Sequence, residues 1–520
     1  MAGVWVLSCP VLVTARRIYV GFKPTRLVEA IVAVNGLVVY AGSRNDAERI
    51  ARGLAVAVGC SRPRVLEFTD SYALPGFVDA HLHLRGVGAK LYGIDLSDVR
   101  SIEEFKAVVA REVARFESWI IGRGWDQERM GAWPTRYDLD EVVPDKPVVL
   151  MRICGHAAVL NTVALKELGF LGRRSPDIDV GCDGEPTGLV FEKAAEEAYR
   201  EAVRKLDQVK LILEAARHVL SYGVTLVGDM GVDSEEIYGL VRARFMGLLP
   251  LRVRIYLSQS LFEQLERAGV IPIFGDTFLA VKGVKMFMDG SLGARTAWLR
   301  EPYSDASETR GRSLAGWRDV ARLAEAAKRW GADVAVHAIG DAALAEALHG
   351  MEAARCRCRI EHASLAPPDL LSVAARLGVR IAVQPRFLVS DTWAADRLGV
   401  ERVRWLYPFK TMISMGIQVG FSSDAPVEPV NPFEGIYAAA TRGAVAGYTR
   451  DEALDVETGL HLYTAGSAAI LGDRRAGCLE PGCYADIAVV DHDPLEVSVE
   501  ELPGIRFEAS IVGGELVWSR

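Results

Sequence analysis

Across the middle of this chain, short apolar runs recur with helical stretches between them. The runs fall at 77–83, 148–154, 225–229, 253–257, 284–288, 334–337, 359–362, 380–384 and 418–423, and 322–330 and 368–377 read as intervening helices. A strand with one wet face alternates polar and apolar residues, whereas these runs are nearly continuous. Continuous apolar strands alternating with helices mean a parallel sheet covered on both faces, hence an α/β fold. A (β/α)8 TIM barrel needs eight strands, so nine runs are one too many. The run at 148–154 is the odd one. It lies within 85–210, a stretch far longer than a single βα connection. That stretch reads as an insertion after barrel strand 1, near the mouth of a barrel spanning 71–469.

The two ends of the chain have another character. Short strands are expected at 4–7, 30–34 and 37–40, the last two joined by Asn35-Gly36, a strong hairpin signal. Near the C-terminus, 480–486 reads as a turn, 487–490 as a strand and 509–518 as a hairpin. Neither piece is long enough to bury a good core alone. The economical solution is one small β-sandwich domain built from 1–70 and 470–520.

Composition restricts the partners. The chain has 520 residues, a net charge of −8 and no block rich in Lys and Arg, which argues against a nucleic-acid partner. No apolar stretch reaches bilayer length, and no basic residue precedes the apolar N-terminal run, so a cytoplasmic protein without a membrane partner is expected. The eight cysteines form no C-x-x-C pair, which argues against a structural zinc site; most are expected to be buried, reduced thiols. Asn and Gln are scarce, as in thermophiles, where intracellular disulfides persist, so a Cys478–Cys483 bond stays open. Base rates favour a homodimer.

The chemistry sits at strand ends. His81 and His83 are separated by one residue on the first barrel strand, so both imidazoles project to the same side. In such barrels catalytic groups stand at the C-terminal ends of strands. Lys285, His337, His362 and Asp424 lie at the ends of further predicted strands, and four of the nine histidines fall in this pattern. A buried histidine alone is more often structural than a ligand. Their shared position points instead to a metal site.

Several motifs together resemble the amidohydrolase superfamily, most specifically its YtcJ-like branch, which includes N-substituted formamide deformylases. They are Pro75-Gly76-Phe77-Val78-Asp79-Ala80-His81-Leu82-His83, Gly124-Trp125-Asp126, Trp133-Pro134-Thr135-Arg136, Asp289-Gly290-Ser291-Leu292-Gly293, His337-Ala338-Ile339-Gly340-Asp341, Ile360-Glu361-His362-Ala363, Ser423-Asp424-Ala425-Pro426 and the closing 485–490. The resemblance covers nearly the whole chain. It implies a pair of divalent ions, zinc or a similar metal. His81 and His83 would hold one ion, His337 and His362 the other. Lys285, carboxylated by CO2, would bridge both, and Asp424 would complete the set. An ammonium repels a cation, whereas a carbamate is anionic and has two oxygens for two metals.

The implied activity is hydrolysis of a C–N bond in a small-molecule amide, with an N-substituted formamide or N-acyl amine as the nearest substrate. Asp424 would act as general base and then acid. His156, Arg295 and Gln384 are candidates to touch substrate; a structural imidazole is the alternative for His156 and a surface salt bridge for Arg295. Asp79 is expected to support the ligands and Trp125 to pack the insertion. Other readings are a cyclic amidase, a heterocycle deaminase, or a binding or regulatory protein on the same fold. A deaminase of this superfamily typically lacks the strand-4 lysine, and a binding protein should have lost ligands. All six are present.

Overall fold

The computed structural model of the chain describes residues 8–270, 272–356, 358–442 and 450–520. The strand expected at 4–7 lies outside them. The chain divides into two compact units, one of residues 1–83, 216–233 and 247–520 and the other of 84–215 and 234–246.

The first unit is built on eight strands: β1 Phe77–Leu82, β2 Val224–Val232, β3 Arg252–Ser258, β4 Leu279–Phe287, β5 Asp333–Ala338, β6 Arg359–His362, β7 Arg380–Val383 and β8 Gln418–Phe421. They lie side by side in sequence order, every neighbouring pair parallel. All six residues of β1 are buried, as a strand covered on both faces requires. The ring closes at its C-terminal end, where the Asp424 N–H donates to the His81 carbonyl (2.8 Å) and the His83 N–H to the Ala425 carbonyl (2.8 Å). Close approach of β1 and β2 needs Gly228, because a Cβ there would lie 2.3 Å from the Ala80 carbonyl oxygen.

Strands from both ends of the chain join in one seven-stranded sheet. Arg64–Pro75 runs parallel to Val11–Gly21 on one side and antiparallel to Ile487–Val490 on the other, which knits the two ends together. Residues alternate between faces with the period of two that strands impose. Leu12, Ala30 and Val32 meet Ala47 and Ala51 of the helix Arg44–Ala57, while Val13, Ile31, Ile487 and Ile511 belong to a separate core. Two buried arginines on β3 tie this region to the barrel. Arg252 makes a two-pronged bond to Asp486 (2.6 and 3.0 Å), its guanidinium 3.8 Å from the Tyr484 ring and 4.5 Å from that of Phe278. Arg254 pairs with Asp473.

The second unit has its own core around a six-stranded sheet, and Val148–Arg152, the odd apolar run, is one of its inner strands. It takes in the helix Ser234–Phe245 as well as 84–215, so it is wider than the expected 85–210.

One expectation is corrected. The cysteines are mostly oxidised, not buried and reduced: the structure pairs Cys9 with Cys60, Cys356 with Cys358 and Cys478 with Cys483. Cys154 and Cys182 are free and exposed. Pairing depends on Cα atoms coming within about 7 Å of each other. Cys9 and Cys60, 51 residues apart, reach 5.9 Å only once the terminal sheet is folded. No helix among the described residues is long and apolar enough to cross a membrane.

Candidate metal centre

At the C-terminal mouth of the barrel four imidazoles gather. Ring centroids of His81 lie 5.5 Å from His83 and 5.0 Å from His362, and His337 lies 4.5 Å from His362. Nitrogens of His81 and His362 and a carboxylate oxygen of Asp424 fall within 4.8 Å of one another. His362 and Asp424 both take positive φ, 75° and 59°. Such left-handed backbone is uncommon away from glycine and is found preferentially at functional sites.

Each imidazole has one nitrogen committed to an oxygen that can only accept. His81 Nδ1 donates to Glu361 Oε2 (2.6 Å), His83 Nδ1 to the Met230 carbonyl (2.9 Å), and His337 Nε2 to the Gly290 carbonyl (3.0 Å). His362 Nδ1 faces Gln384 Oε1 at 2.7 Å. The amide orientation of Gln384 follows from its neighbour. The Ser422 hydroxyl gives its proton to the Val383 carbonyl (3.1 Å), so it accepts from Gln384 Nε2 (2.9 Å), which leaves Oε1 for His362. In a neutral ring the other nitrogen is then the one with the lone pair, as a metal ligand requires.

Burial keeps the inner rings neutral. It pushes His337 down to about 3, with the nearby Lys285 adding to the effect, and pushes His362 well below its ordinary value. Asp424 is the opposite case. Burial would raise its pKa, but His81, in charge and hydrogen bonding, together with His83, holds it well below the carboxylate range. Lys285 stands on β4, fully buried, with no hydrogen-bond partner for Nζ. Burial pushes it down to about 8, against the pull of Glu361 and Asp424.

These residues fit a bound cation. Nε2 of His81 and Nε2 of His83 converge on one atom, Asp424 Oδ1, at 3.2 and 3.3 Å. Three donors of imidazole and carboxylate type suit zinc and its neighbours.

Supporting contacts come from Asp79 and from residues to which the sequence reading gave no such role. Asp79 accepts the Ser423 N–H (3.1 Å), the Ser423 hydroxyl (2.5 Å) and the His81 N–H (3.1 Å), so it ties β1 to the segment after β8. Burial pushes its pKa up to about 7. Asp289 accepts the N–H groups of Trp298, Ile339 and Gly340 and so fixes the loops beside His337. Arg359 and Glu361, both fully buried inside the barrel, stand behind His81. Two charged residues at i and i+2 in a short apolar run were the available signal.

The three substrate candidates have other partners. Gln384 is committed to His362 and Ser422. Arg295 is half-buried and makes a two-pronged bond to Asp305 (3.1 and 2.8 Å). His156, in the second unit, is exposed and pairs with Glu192 (3.2 Å). Trp125 is buried in the core of the second unit and donates to the Leu150 carbonyl (2.8 Å).

A parallel eight-stranded barrel with this donor set at its C-terminal mouth defines a metal-dependent hydrolase of the amidohydrolase superfamily. The sequence profile of the amidohydrolase family matches residues 67–518, and the chain belongs to that family. It is 32% identical to YtcJ of Bacillus subtilis (strain 168) over 540 residues, 97% of this chain and 98% of YtcJ. It is 26% identical to the N-substituted formamide deformylase of Arthrobacter pascens, over 95% of each chain. Among solved structures, an uncharacterized metal-dependent hydrolase from Pyrococcus horikoshii OT3 superposes with a TM-score of 0.86 at 38% identity, over 94% of this chain and 99% of that one.

Proposed function

We propose that the protein hydrolyses the C–N bond of a small amide, with N-substituted formamides and simple N-acyl amines as the substrate class. The observation that carries this reading is the convergence of Nε2 of His81 and of His83 on Asp424 Oδ1. His81 and His83 would hold one zinc-class ion and His337 and His362 a second, with Lys285 and Asp424 completing the set. When bound, such ions polarise a substrate carbonyl and lower the pKa of water to about 7.

The chain's own groups supply the rest. Lys285 reacts with CO2 as a neutral amine, losing a proton to give an anionic carbamate, and burial lowers its pKa far enough to supply that amine. Asp424, kept ionised, takes a proton from the attacking water and returns it to the leaving nitrogen. The dry wall around His337 and His362 keeps their lone pairs from being lost to protons. The similarity to a formamide deformylase supports the choice of substrate. Lys285 weighs against a one-metal deaminase.

Zinc-loaded protein screened against N-substituted formamides, N-acyl amines, lactams and hydantoins tests the reading. Release of formate or acid and amine, with about two zinc ions per chain, is expected. Turnover of lactams or hydantoins alone would move the protein to the cyclic amidases. A chain that binds no metal would remove the reading altogether.

A further inference from the structure

We infer that Glu361 is a positioning residue: gripped by Arg359, its carboxylate fixes the proton of His81 on Nδ1 and turns the Nε2 lone pair toward Asp424. This rests on the metal-centre reading above.

The geometry is specific. Arg359 and Glu361 are i and i+2 on β6, so both side chains point into the barrel. Arg359 Nη2 donates to Glu361 Oε2 (2.9 Å) and Arg359 Nε lies 2.5 Å from Oε1. The same Nη2 donates to the carbonyl of Ala80 (3.0 Å), the residue before His81. One guanidinium thus holds the backbone that carries the imidazole and also the carboxylate that holds its ring. The Tyr256 ring lies 4.9 Å from the guanidinium and closes off its face.

The other three imidazoles donate to neutral oxygens: two backbone carbonyls and an amide. His81 alone donates to a charged one, and at 2.6 Å its bond is the shortest of the four. A carboxylate behind a ligating imidazole fixes its tautomer and raises its basicity. Stability does not account for the pair. Replacing a buried ion pair by apolar groups of similar volume is often neutral or stabilising, and the interior of such a barrel is ordinarily filled by branched apolar side chains. What an apolar filling cannot do is choose between the two nitrogens of His81.

The test uses full-length protein labelled with 15N-histidine, metal-free, at about pH 8, where an ordinary imidazole is neutral. The His81 signals are assigned by their loss in His81→Asn. In the wild type, Nδ1 should be the protonated nitrogen and Nε2 the bare one; a proton on Nε2 overturns the inference outright. Glu361→Gln keeps an acceptor and should keep the tautomer. Glu361→Leu should mix the two forms and weaken zinc binding, measured against a competing chelator, by about 10- to 100-fold. Because Glu361→Leu strands a buried guanidinium, Arg359→Met/Glu361→Leu is measured beside it and should show the same loss. A folded double variant with His81 still protonated on Nδ1, or with zinc affinity within about threefold of wild type, overturns the inference. Wild-type protein that binds no zinc would instead refute the metal reading, and the nitrogen shifts would still decide the role of Glu361.

Discussion

Replacing Lys285 with methionine should change stability in opposite directions with and without metal. In the metal-free protein the amine is fully buried and Nζ has no hydrogen-bond partner. Its pKa is pushed from the ordinary 10.5 down to about 8. At about 1.4 kcal/mol per unit, holding the ammonium in this site costs roughly 3 kcal/mol. The folded pKa lies below the unfolded one, so the penalty is complete below about pH 8 and disappears as pH rises toward 10.5. Methionine has similar length, carries no charge and leaves no partner unsatisfied. Metal-free Lys285→Met should therefore be more stable than wild type by roughly 3 kcal/mol at neutral pH. With an unfolding entropy of about 2 cal/mol/K per residue, the melting midpoint should rise by about 3 °C. Adding zinc should reverse the order, because wild type gains stability from binding and the variant has lost a ligand. Calorimetry on chelator-treated and zinc-loaded samples at neutral pH and near pH 10 reads all four states. A metal-free variant less stable than wild type, or one that zinc stabilises as much as wild type, would refute the reasoning.

Three further outcomes are expected. Asp424→Asn should lower kcat for the best substrate of the screen by at least about 100-fold with little change in KM, since a proton-transfer group is removed; steady-state kinetics would expose a variant that retains full rate. Asp486→Leu strands Arg252 in the interior and should cost about 3–5 kcal/mol, while Arg252→Met/Asp486→Leu should recover most of it. Denaturant unfolding of the full cycle checks this, and a coupling near zero would show that the pair does not fasten the terminal sheet. Gly228→Ala drives a methyl against the Ala80 carbonyl and should cost about 1–3 kcal/mol, visible as a lower unfolding midpoint.

Much of the architecture is legible in local pattern. Continuous apolar runs mark strands buried on both faces, and β1 through β8 fall on eight of the nine runs. The length of the stretch around 148–154 separates the ninth, which sits in the sheet of the second unit. The strand-end rule singles out His81, His83, Lys285, His337, His362 and Asp424, and ring closure brings His81, His362 and Asp424 to one point. Period and position are properties of neighbouring residues, so a sequence displays them directly.

What the sequence alone determined is therefore the class of fold and which side chains crowd the mouth of the barrel. The tertiary structure decided how each is presented. The oxygen that sets the His81 tautomer belongs to a residue 280 positions away, and that of His83 to a carbonyl 147 positions away. Gln384 looked free to meet substrate until β6 and β7 placed it against His362. The Cys9–Cys60 bond and the Arg252–Asp486 clasp likewise join distant segments. Directional contacts of this kind depend on distances of a few ångströms between strands, and those are set by closing the sheet, to which no local pattern refers.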